Sequence, residues 1–270
     1  MDKPKLAILY ISLGGYHIFW EEFYKSCEKN FCIDIEKEYF IFSDNPSRIK
    51  SLGERINLYK QDNLGWPFST LMRYHMFSRI KNILKKYTYI CYFNANTFFI
   101  EKIYTEEFFG NSRNELTGGL HPGYNSQSNE KYPFEKRKLS KAFSKHNQYY
   151  FQGCINGGQS KHFLNAVDEI KTNIIQDINN GIIAIWHDES HWNCYLNKKI
   201  NENSESIKIL NCNYLWPEEF KKCNNLKILM RDKKLFGGHA RLRGLEINQN
   251  KLIFKLLKKF KLKLSNLIKN

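Results

Sequence analysis

Short apolar runs recur along the chain, each followed by a polar or turn-forming stretch. Runs of aliphatic and aromatic residues that end at Gly, Asp or Pro are typical of buried strands. Four such runs in the first hundred residues are predicted strands: residues 5–12 (KLAILYIS), 38–43 (EYFIFS), 55–60 (RINLYK) and 88–93 (TYICYF). A later run, within residues 149–158, ends at Gly157-Gly158 and predicts one more short strand.

Amphipathic segments separate these runs. Residues 17–31 and 160–179 each fit a helix, and a longer helix is predicted from Pro67 to the strand at residue 88. Its apolar positions have helical spacing: Leu71, Met76, Ile80, Ile83 and Leu84. Strands that alternate with helices predict an α/β fold with a parallel sheet and crossover helices.

The strand at 88–93 runs directly into Asn94-Ala95-Asn96. In parallel α/β sheets, ligands bind at the carboxyl ends of the strands. Two Asp residues in this place would suggest a divalent cation held against a nucleotide diphosphate. Amides are poorer ligands for a hard dication than carboxylates, so the shape of such a site is present without its charge.

A second polar cluster is WHDESHWN, residues 186–193. On a helix, Asp188 and His191 would share a face, with Glu189 about 100° away. His187 and His191 have metal-ligand spacing, but the order H-D-E-S-H departs from H-E-x-x-H, so zinc is not expected. The spacing alone leaves open a carboxylate that meets the anomeric carbon of a sugar and a plain helix start capped by Asp188.

Composition narrows the class of protein. Lys and Arg number 42 against 27 Asp and Glu, a net charge of +15 that suggests nucleic acid, an anionic membrane or a phosphate-bearing substrate as partner. No G-x-x-x-x-G-K-[ST] phosphate loop occurs. The seven Cys include no C-x-x-C pair, which indicates reduced thiols in a cytoplasmic protein. The apolar start of the chain is too short to span a bilayer and reads as the first strand.

The carboxyl-terminal segment 251–270 is amphipathic and basic. Its apolar residues share one helical face and its Lys residues fill the other, with no acidic residue after Glu246. This pattern favours an interfacial helix on an anionic membrane surface. The alternative is a terminal helix that packs on its own domain.

Six motifs occur in a characteristic order: YFNAN (92–96), LHPGY (120–124), YPFEKRK (132–138), YYFQGCINGG (149–158), WHDESHWN (186–193) and NYLWPE (213–218). Together they resemble glycosyltransferase family 6, which includes the histo-blood group A and B transferases and bacterial relatives. The resemblance implies a GT-A fold: a single catalytic domain at 1–245, with a UDP-binding half at 1–100, an acceptor-binding and catalytic half at 101–245, and the basic tail at 246–270.

The resemblance also implies the reaction. A member of this family moves galactose or N-acetylgalactosamine from UDP-Gal or UDP-GalNAc, with retention, to form an α1,3 linkage on a galactose that carries α1,2-fucose. Mammalian members use Asp-x-Asp and manganese, whereas bacterial members commonly carry Asn-x-Asn and work without metal, so neither metal nor cofactor is expected. For a bacterial member, the acceptor would be a lipid-linked surface glycan at the inner face of the cytoplasmic membrane. Nucleic acid is not an expected partner.

Residue roles follow from the same resemblance. Glu189 matches the nucleophile or oxocarbenium stabiliser, and Asp188 matches the carboxylate that binds the donor sugar. Three residues match the acceptor site: His121, Trp186 and His187. Five match the uridine and diphosphate site: Tyr10, Ser12, Arg73, Asn94 and Asn96. Late basic residues fall where the family closes over UDP: Lys233, Lys234, Arg241 and Arg243.

Donor choice is expected at Gln152-Gly153-Cys154, which match the residues that sort the two sugars. Because Cys154 is larger than Gly or Ala, sterics favour galactose over N-acetylgalactosamine, which remains the alternative donor. Pro133 and Pro217 depart from the family pattern in acceptor loops. The alternatives from other classes are a non-catalytic glycan-binding protein and a nucleic-acid-binding protein.

Overall fold

The computed structural model describes residues 3–124, 131–221 and 223–244. In this part of the chain the strands are β1 (Lys5–Ser12), β2 (Glu36–Ser43), β3 (Ile56–Lys60), β4 (Tyr89–Phe93), β5 (Thr97–Phe99), β6 (Leu116–Leu120), β7 (Phe151–Gln159), β8 (Ile207–Leu210), β9 (Tyr214–Pro217) and β10 (Ile228–Met230). The α-helices are α1 (Trp20–Asn30), α2 (Phe68–Leu71), α3 (Arg73–Ser78), α4 (Lys81–Leu84), α5 (Thr105–Phe109), α6 (Ser160–Asn179), α7 (Asp188–Glu202) and α8 (Gly238–Leu242).

Seven strands form the central sheet in the order β3-β2-β1-β4-β7-β6-β8, and β5, β10 and β9 form a small second sheet. Strands β1 to β4 pair in parallel, as the alternation of strands and helices predicts. β7 runs antiparallel to both β4 and β6, so the sheet is mixed. The β4–β7 pairing joins the two predicted halves of the domain within one sheet.

Both faces of the sheet are covered, which explains why β1 is a continuous apolar run. Leu6, Ile8 and Tyr10 pack with residues of α1 and α5. Ala7 and Leu9 face the opposite side, where α3, α6 and α7 supply the core.

The predicted helix that begins at Pro67 is in fact three short helices, α2, α3 and α4. The chain leaves helical geometry at Met72, with ψ of 14°, and at Ile80, with ψ of 16°. Four of the five residues with helical spacing still pack into the core, Leu71, Met76, Ile80 and Leu84, whereas Ile83 is 39% exposed. The other two predicted helices, 17–31 and 160–179, are confirmed as α1 and α6.

No helix among the described residues is long and apolar enough to cross a membrane. The basic segment 251–270, with its predicted membrane contact, lies outside the described residues.

Candidate active site

A cavity of about 350 Å³ opens at the carboxyl ends of β1 and β4. Its volume is within the range of small-molecule sites. The lining includes residues of the YFNAN and WHDESHWN motifs, two late basic residues and several others. They are Leu13, Tyr16, Trp66, Arg73, Tyr92, Asn94, Asn96, Trp186, His187, Lys233 and Arg243. The strand-end rule that singled out Asn94 and Asn96 therefore locates the cavity correctly.

Both Asn side chains are tied to the protein by their amide nitrogens. Asn94 Nδ2 donates to the sulfur of Cys154 at 2.8 Å, while its Oδ1 accepts from the Tyr92 hydroxyl at 2.9 Å. Asn96 Nδ2 donates to the carbonyl of Arg231 at 2.7 Å, and the Arg231 amide donates back to the Asn96 carbonyl at 2.8 Å. Asn96 Oδ1 is buried without a hydrogen-bond partner among the described residues.

Arg73 and Asp188 form a buried ion pair at the base of the cavity. Arg73 Nε lies 3.0 Å from Asp188 Oδ2, and the two side chains are only 5% and 3% exposed. Arg73 also donates to the Gly153 carbonyl and lies over the ring of Tyr92. Burial raises the pKa of Asp188 to about 7, although the guanidinium of Arg73 opposes this shift.

Glu189 lies next to this pair, in the first turn of α7, and both of its oxygens are hydrogen-bonded. The Tyr150 hydroxyl donates to Oε1 at 2.7 Å, and the Gly153 amide donates to Oε2 at 2.6 Å. A Cβ on Gly153 would lie 2.9 Å from the Cβ of Glu189, so glycine allows the strand to approach the carboxylate. A partly buried carboxylate held at both oxygens has the chemistry to act as a nucleophile or to stabilise positive charge.

α7 begins at Asp188, with His187 as its N-cap residue. Asp188 is therefore not the cap, and its side chain serves the ion pair instead. His187 has φ of 55° and ψ of −125°, a region that non-glycine residues rarely occupy. Its ring lies against Trp66 at 5.2 Å, and Trp186 beside it is 47% exposed.

His121 contacts Tyr150, the residue that donates a hydrogen bond to Glu189. Its amide donates to the Tyr150 carbonyl at 3.0 Å, and its ring centroid is 5.6 Å from that of Tyr150. Burial lowers the pKa of His121, although the charge of Glu189 opposes that change. His121 therefore lies on the Tyr150 side of Glu189, while Trp186 and His187 precede Asp188 in the chain and line the cavity.

Two of the late basic residues reach the cavity. The ammonium of Lys233 lies 5.7 Å from the ring of Tyr16, and the guanidinium of Arg243 lies 5.2 Å from that of Trp66. Burial lowers the pKa of Lys233. The same cavity is therefore lined by two cations and by Asn94 and Asn96.

The profile of glycosyltransferase family 6 matches residues 5–235, most of the chain. The chain belongs to glycosyltransferase family 6. WbnI, an O-antigen biosynthesis glycosyltransferase of Escherichia coli, is 31% identical over 233 residues, which cover 85% of this chain and 95% of that protein.

Mammalian relatives are more distant. Human globoside alpha-1,3-N-acetylgalactosaminyltransferase 1 is 25% identical over 233 residues, covering 83% of this chain and 64% of that protein. Rat histo-blood group ABO system transferase 2 is 24% identical over 228 residues, covering 81% and 65%. The chain thus spans just under two thirds of each of these two relatives. As a family 6 member it is a glycosyltransferase, which implies a nucleotide-sugar donor and a glycan acceptor.

Several predicted donor residues of this family 6 glycosyltransferase do not line the cavity. Tyr10 is fully buried on the α1 face and donates to the Ala95 carbonyl at 3.3 Å, and the Ser12 side chain is also buried. Their neighbours Ile11 and Leu13 line the cavity instead, because successive residues of a strand face opposite sides.

Eight further predicted site residues are absent from the cavity lining: His121, Gln152, Gly153, Cys154, Asp188, Glu189, Lys234 and Arg241. Gln152 is buried, with Nε2 within hydrogen-bond distance of the Leu120 and Tyr214 carbonyls. Lys234 and Arg241 are exposed to solvent.

Several residues of the site were not singled out from the sequence, among them Tyr16, Trp66 and Tyr150. Tyr150 holds Glu189, and Trp66 lies between His187 and Arg243. Tyr150 lies within the YYFQGCINGG motif, but only its contact with α7, a distant element, distinguishes it from Tyr149. Trp66 precedes the predicted helix and carried no signal of its own.

Proposed function

We propose that this family 6 enzyme is a retaining α1,3-glycosyltransferase that moves galactose from UDP-galactose to a fucosylated galactose. The observation that carries the proposal is Glu189: it is held at both oxygens and directly follows Asp188, whose partner Arg73 lines the cavity together with Lys233 and Arg243. This arrangement provides a carboxylate for the anomeric carbon and positive charge for the leaving diphosphate.

In the proposed reaction the diphosphate lies near Lys233 and Arg243. Glu189 faces the β side of the anomeric carbon and stabilises the positive charge that develops there. The bond from the anomeric carbon to the phosphate oxygen breaks, and the acceptor 3-hydroxyl forms a new bond on the α side that UDP leaves. The departing phosphate oxygen takes the proton of that hydroxyl.

We propose that the reaction needs no metal ion. The two residues at the Asp-x-Asp position present neutral amides whose nitrogens are already committed, Asn94 to Cys154 and Asn96 to the Arg231 carbonyl. Neutral amide oxygens are weak ligands for Mn²⁺ or Mg²⁺ compared with carboxylates. This donor set does not fit the manganese site of the mammalian enzymes, and Lys233 and Arg243 would supply the missing charge.

The preference for galactose rests on Cys154. Its sulfur contacts Asn94 at the edge of the cavity and lies 3.9 Å from the sulfur of Met230. A thiol in this place takes space that an acetamido group would need, so N-acetylgalactosamine is the second candidate donor.

The acceptor side is formed by His121, Trp186 and His187. We propose that the acceptor is an α1,2-fucosylated galactose on a lipid-linked surface glycan. The similarity to WbnI, named for O-antigen biosynthesis, supports a surface-glycan acceptor. A basic tail at 251–270 would place the enzyme at the inner face of a bacterial cytoplasmic membrane.

A transfer assay in EDTA tests the proposal. UDP-galactose and UDP-N-acetylgalactosamine are supplied separately with 2′-fucosyllactose, and the product is detected by mass. We expect product from UDP-galactose in the presence of EDTA. Product that forms only after manganese is added would overturn metal independence. Saturable binding of the acceptor without any turnover of donor would favour a glycan-binding protein.

Glu189→Gln tests the catalytic role. We expect transfer to fall by at least about 100-fold, because the variant lacks the charge that meets the anomeric carbon. Binding of UDP, measured by calorimetry, should stay close to wild type. Glu202→Gln, at the other end of α7, is the matched control and should leave transfer unchanged. A near wild-type rate for Glu189→Gln would contradict the assignment.

A further inference from the structure

The segment between α6 and α7 carries Trp186 and His187 to the cavity. It follows the end of α6 and leads directly into Asp188 and Glu189 at the start of α7. Its position therefore decides where the outer wall of the site stands relative to the catalytic carboxylate.

Two residues of the YPFEKRK motif bind the backbone of this segment. Glu135 Oε2 accepts from the amide of Ile185 at 2.9 Å. Arg137 Nη2 donates to the carbonyl of Ile183 at 2.6 Å. The backbone from 183 to 185 is thus held at one donor and one acceptor by a single side-chain pair.

The pair itself is rigid. Arg137 Nε donates to Glu135 Oε1 at 2.8 Å and Nη2 donates to Oε2 at 2.7 Å, a bidentate arrangement that fixes both side chains. The Glu135 side chain is only 2% exposed. Burial favours its neutral form, but hydrogen bonds from Arg137 and from the Ile185 amide prevail and lower its pKa to about 2.

The loop that carries the pair is anchored to α6. Asp177, in the last turn of α6, accepts from the Ser140 hydroxyl at 2.6 Å and from the Lys141 amide at 2.8 Å. Glu135 and Arg137 therefore transmit the position of a 20-residue helix to the segment.

The segment needs such support because His187 is strained. Its left-handed φ of 55° with ψ of −125° is sparsely populated, and such a residue persists only where surrounding contacts determine it. Local bonds form the turn, with the His187 amide on the Ala184 carbonyl at 2.9 Å. The Trp186 amide also donates to Ser190 Oγ of α7 at 2.9 Å, so these local bonds connect the turn to its neighbours in the chain, whereas the Glu135–Arg137 pair connects it to a distant segment.

We propose that Glu135 and Arg137 are positioning residues that hold the 183–187 segment in its strained turn and thereby set how the acceptor hydroxyl meets the donor. The inference rests on the proposed function, in which Trp186 and His187 face the acceptor. Neither Glu135 nor Arg137 is part of the cavity lining. Loss of the pair acts on acceptor use and leaves the donor side, held by Arg73, Asn94 and Lys233, in place.

The test uses Arg137→Ala and Glu135→Gln, with Arg137→Lys as the conservative variant. We expect the KM for 2′-fucosyllactose to rise about ten-fold in Arg137→Ala and Glu135→Gln, because Trp186 and His187 would no longer be held where they contact the acceptor. UDP affinity should change less than two-fold. Arg137→Lys keeps the positive charge but cannot make the bidentate contact with Glu135. Its acceptor KM should therefore lie between those of the wild type and Arg137→Ala.

Arg113→Ala is the matched control, because it breaks an exposed Arg–Glu pair with Glu205, away from the cavity. Hydrogen exchange at the Ile185 amide should be faster in Glu135→Gln and unchanged in Arg113→Ala. Exchange that accelerates while the acceptor KM stays at the wild-type value would overturn the positioning role. A loss of UDP affinity equal to the loss of acceptor affinity would overturn it as well. If the wild-type enzyme itself transfers no sugar, the proposed function fails, and unchanged exchange at Ile185 would separately refute the structural part.

Discussion

Breaking the Arg73–Asp188 pair should cost more stability than any exposed ion pair of this chain. Arg73→Met leaves the buried Asp188 carboxylate without its cation, and removal of one partner from a buried pair typically costs about 3–5 kcal/mol. The cost should grow with pH. The pKa of Asp188 in the folded protein is about 7 and should rise further without Arg73, so the carboxyl is neutral at low pH and unfavourably charged at high pH.

The reciprocal change, removal of the Asp188 charge, leaves an unpaired cation that still has other contacts. Asp188→Asn leaves a buried guanidinium that cannot lose its proton. Arg73 still donates a hydrogen bond to the Gly153 carbonyl and still lies over the ring of Tyr92. We therefore expect a cost near the lower end, about 3 kcal/mol. The double variant should cost at least about 2 kcal/mol less than the sum of the single variants, since no buried charge is left unpaired.

Urea unfolding followed by tryptophan fluorescence measures all three free energies. The control cycle is Lys198→Met with Glu169→Gln, an exposed pair at 2.9 Å, for which each single change should cost at most about 1 kcal/mol. Additivity of the Arg73 and Asp188 changes to within about 0.5 kcal/mol would refute the reasoning.

Three further predictions concern single side chains. Tyr150→Phe removes a hydrogen bond to the charged Glu189, so kcat should fall about ten-fold or more with UDP affinity retained in calorimetry; an unchanged kcat would show that this contact does no work. Cys154→Gly should shift the donor ratio toward N-acetylgalactosamine by about ten-fold in competition assays, and an unchanged ratio would remove Cys154 from donor selection. Burial lowers the pKa of His191 from 6.5 even though Asp177 opposes it. The unfolded chain then binds the proton more readily, so stability should fall as pH drops below about 6.5. His191→Gln should flatten that fall in urea titrations at several pH values, and an equally steep fall would refute it.

The strands were predictable because a strand that is buried on both faces has apolar residues at successive positions. β1 and β4 are continuous apolar runs, which a strand covered by helices on both sides requires, whereas β3 lies at the edge of the sheet and is only partly buried. The site at the end of β4 was predictable for the same reason, since polar residues that follow a buried strand must lie at the edge of the sheet.

Helix continuity was not predictable in the same way. The apolar spacing from Leu71 to Leu84 fits one helix as well as three, because it records which face is buried and not whether each backbone hydrogen bond forms. The break at Met72 is visible only in the structure.

The sequence by itself predicted where strands β1 to β4 end, pointed to Asp188 and Glu189, and indicated the family. Each of these features depends on residues that are neighbours in the chain. Only the tertiary structure decided that Ile11 and Leu13, not Tyr10 and Ser12, face the cavity, and that Tyr150 holds Glu189. Those outcomes depend on which helix covers which face and on β7 entering the sheet antiparallel beside β4. Contacts between segments far apart in the chain follow from packing of the whole sheet, and no local pattern of residues encodes them.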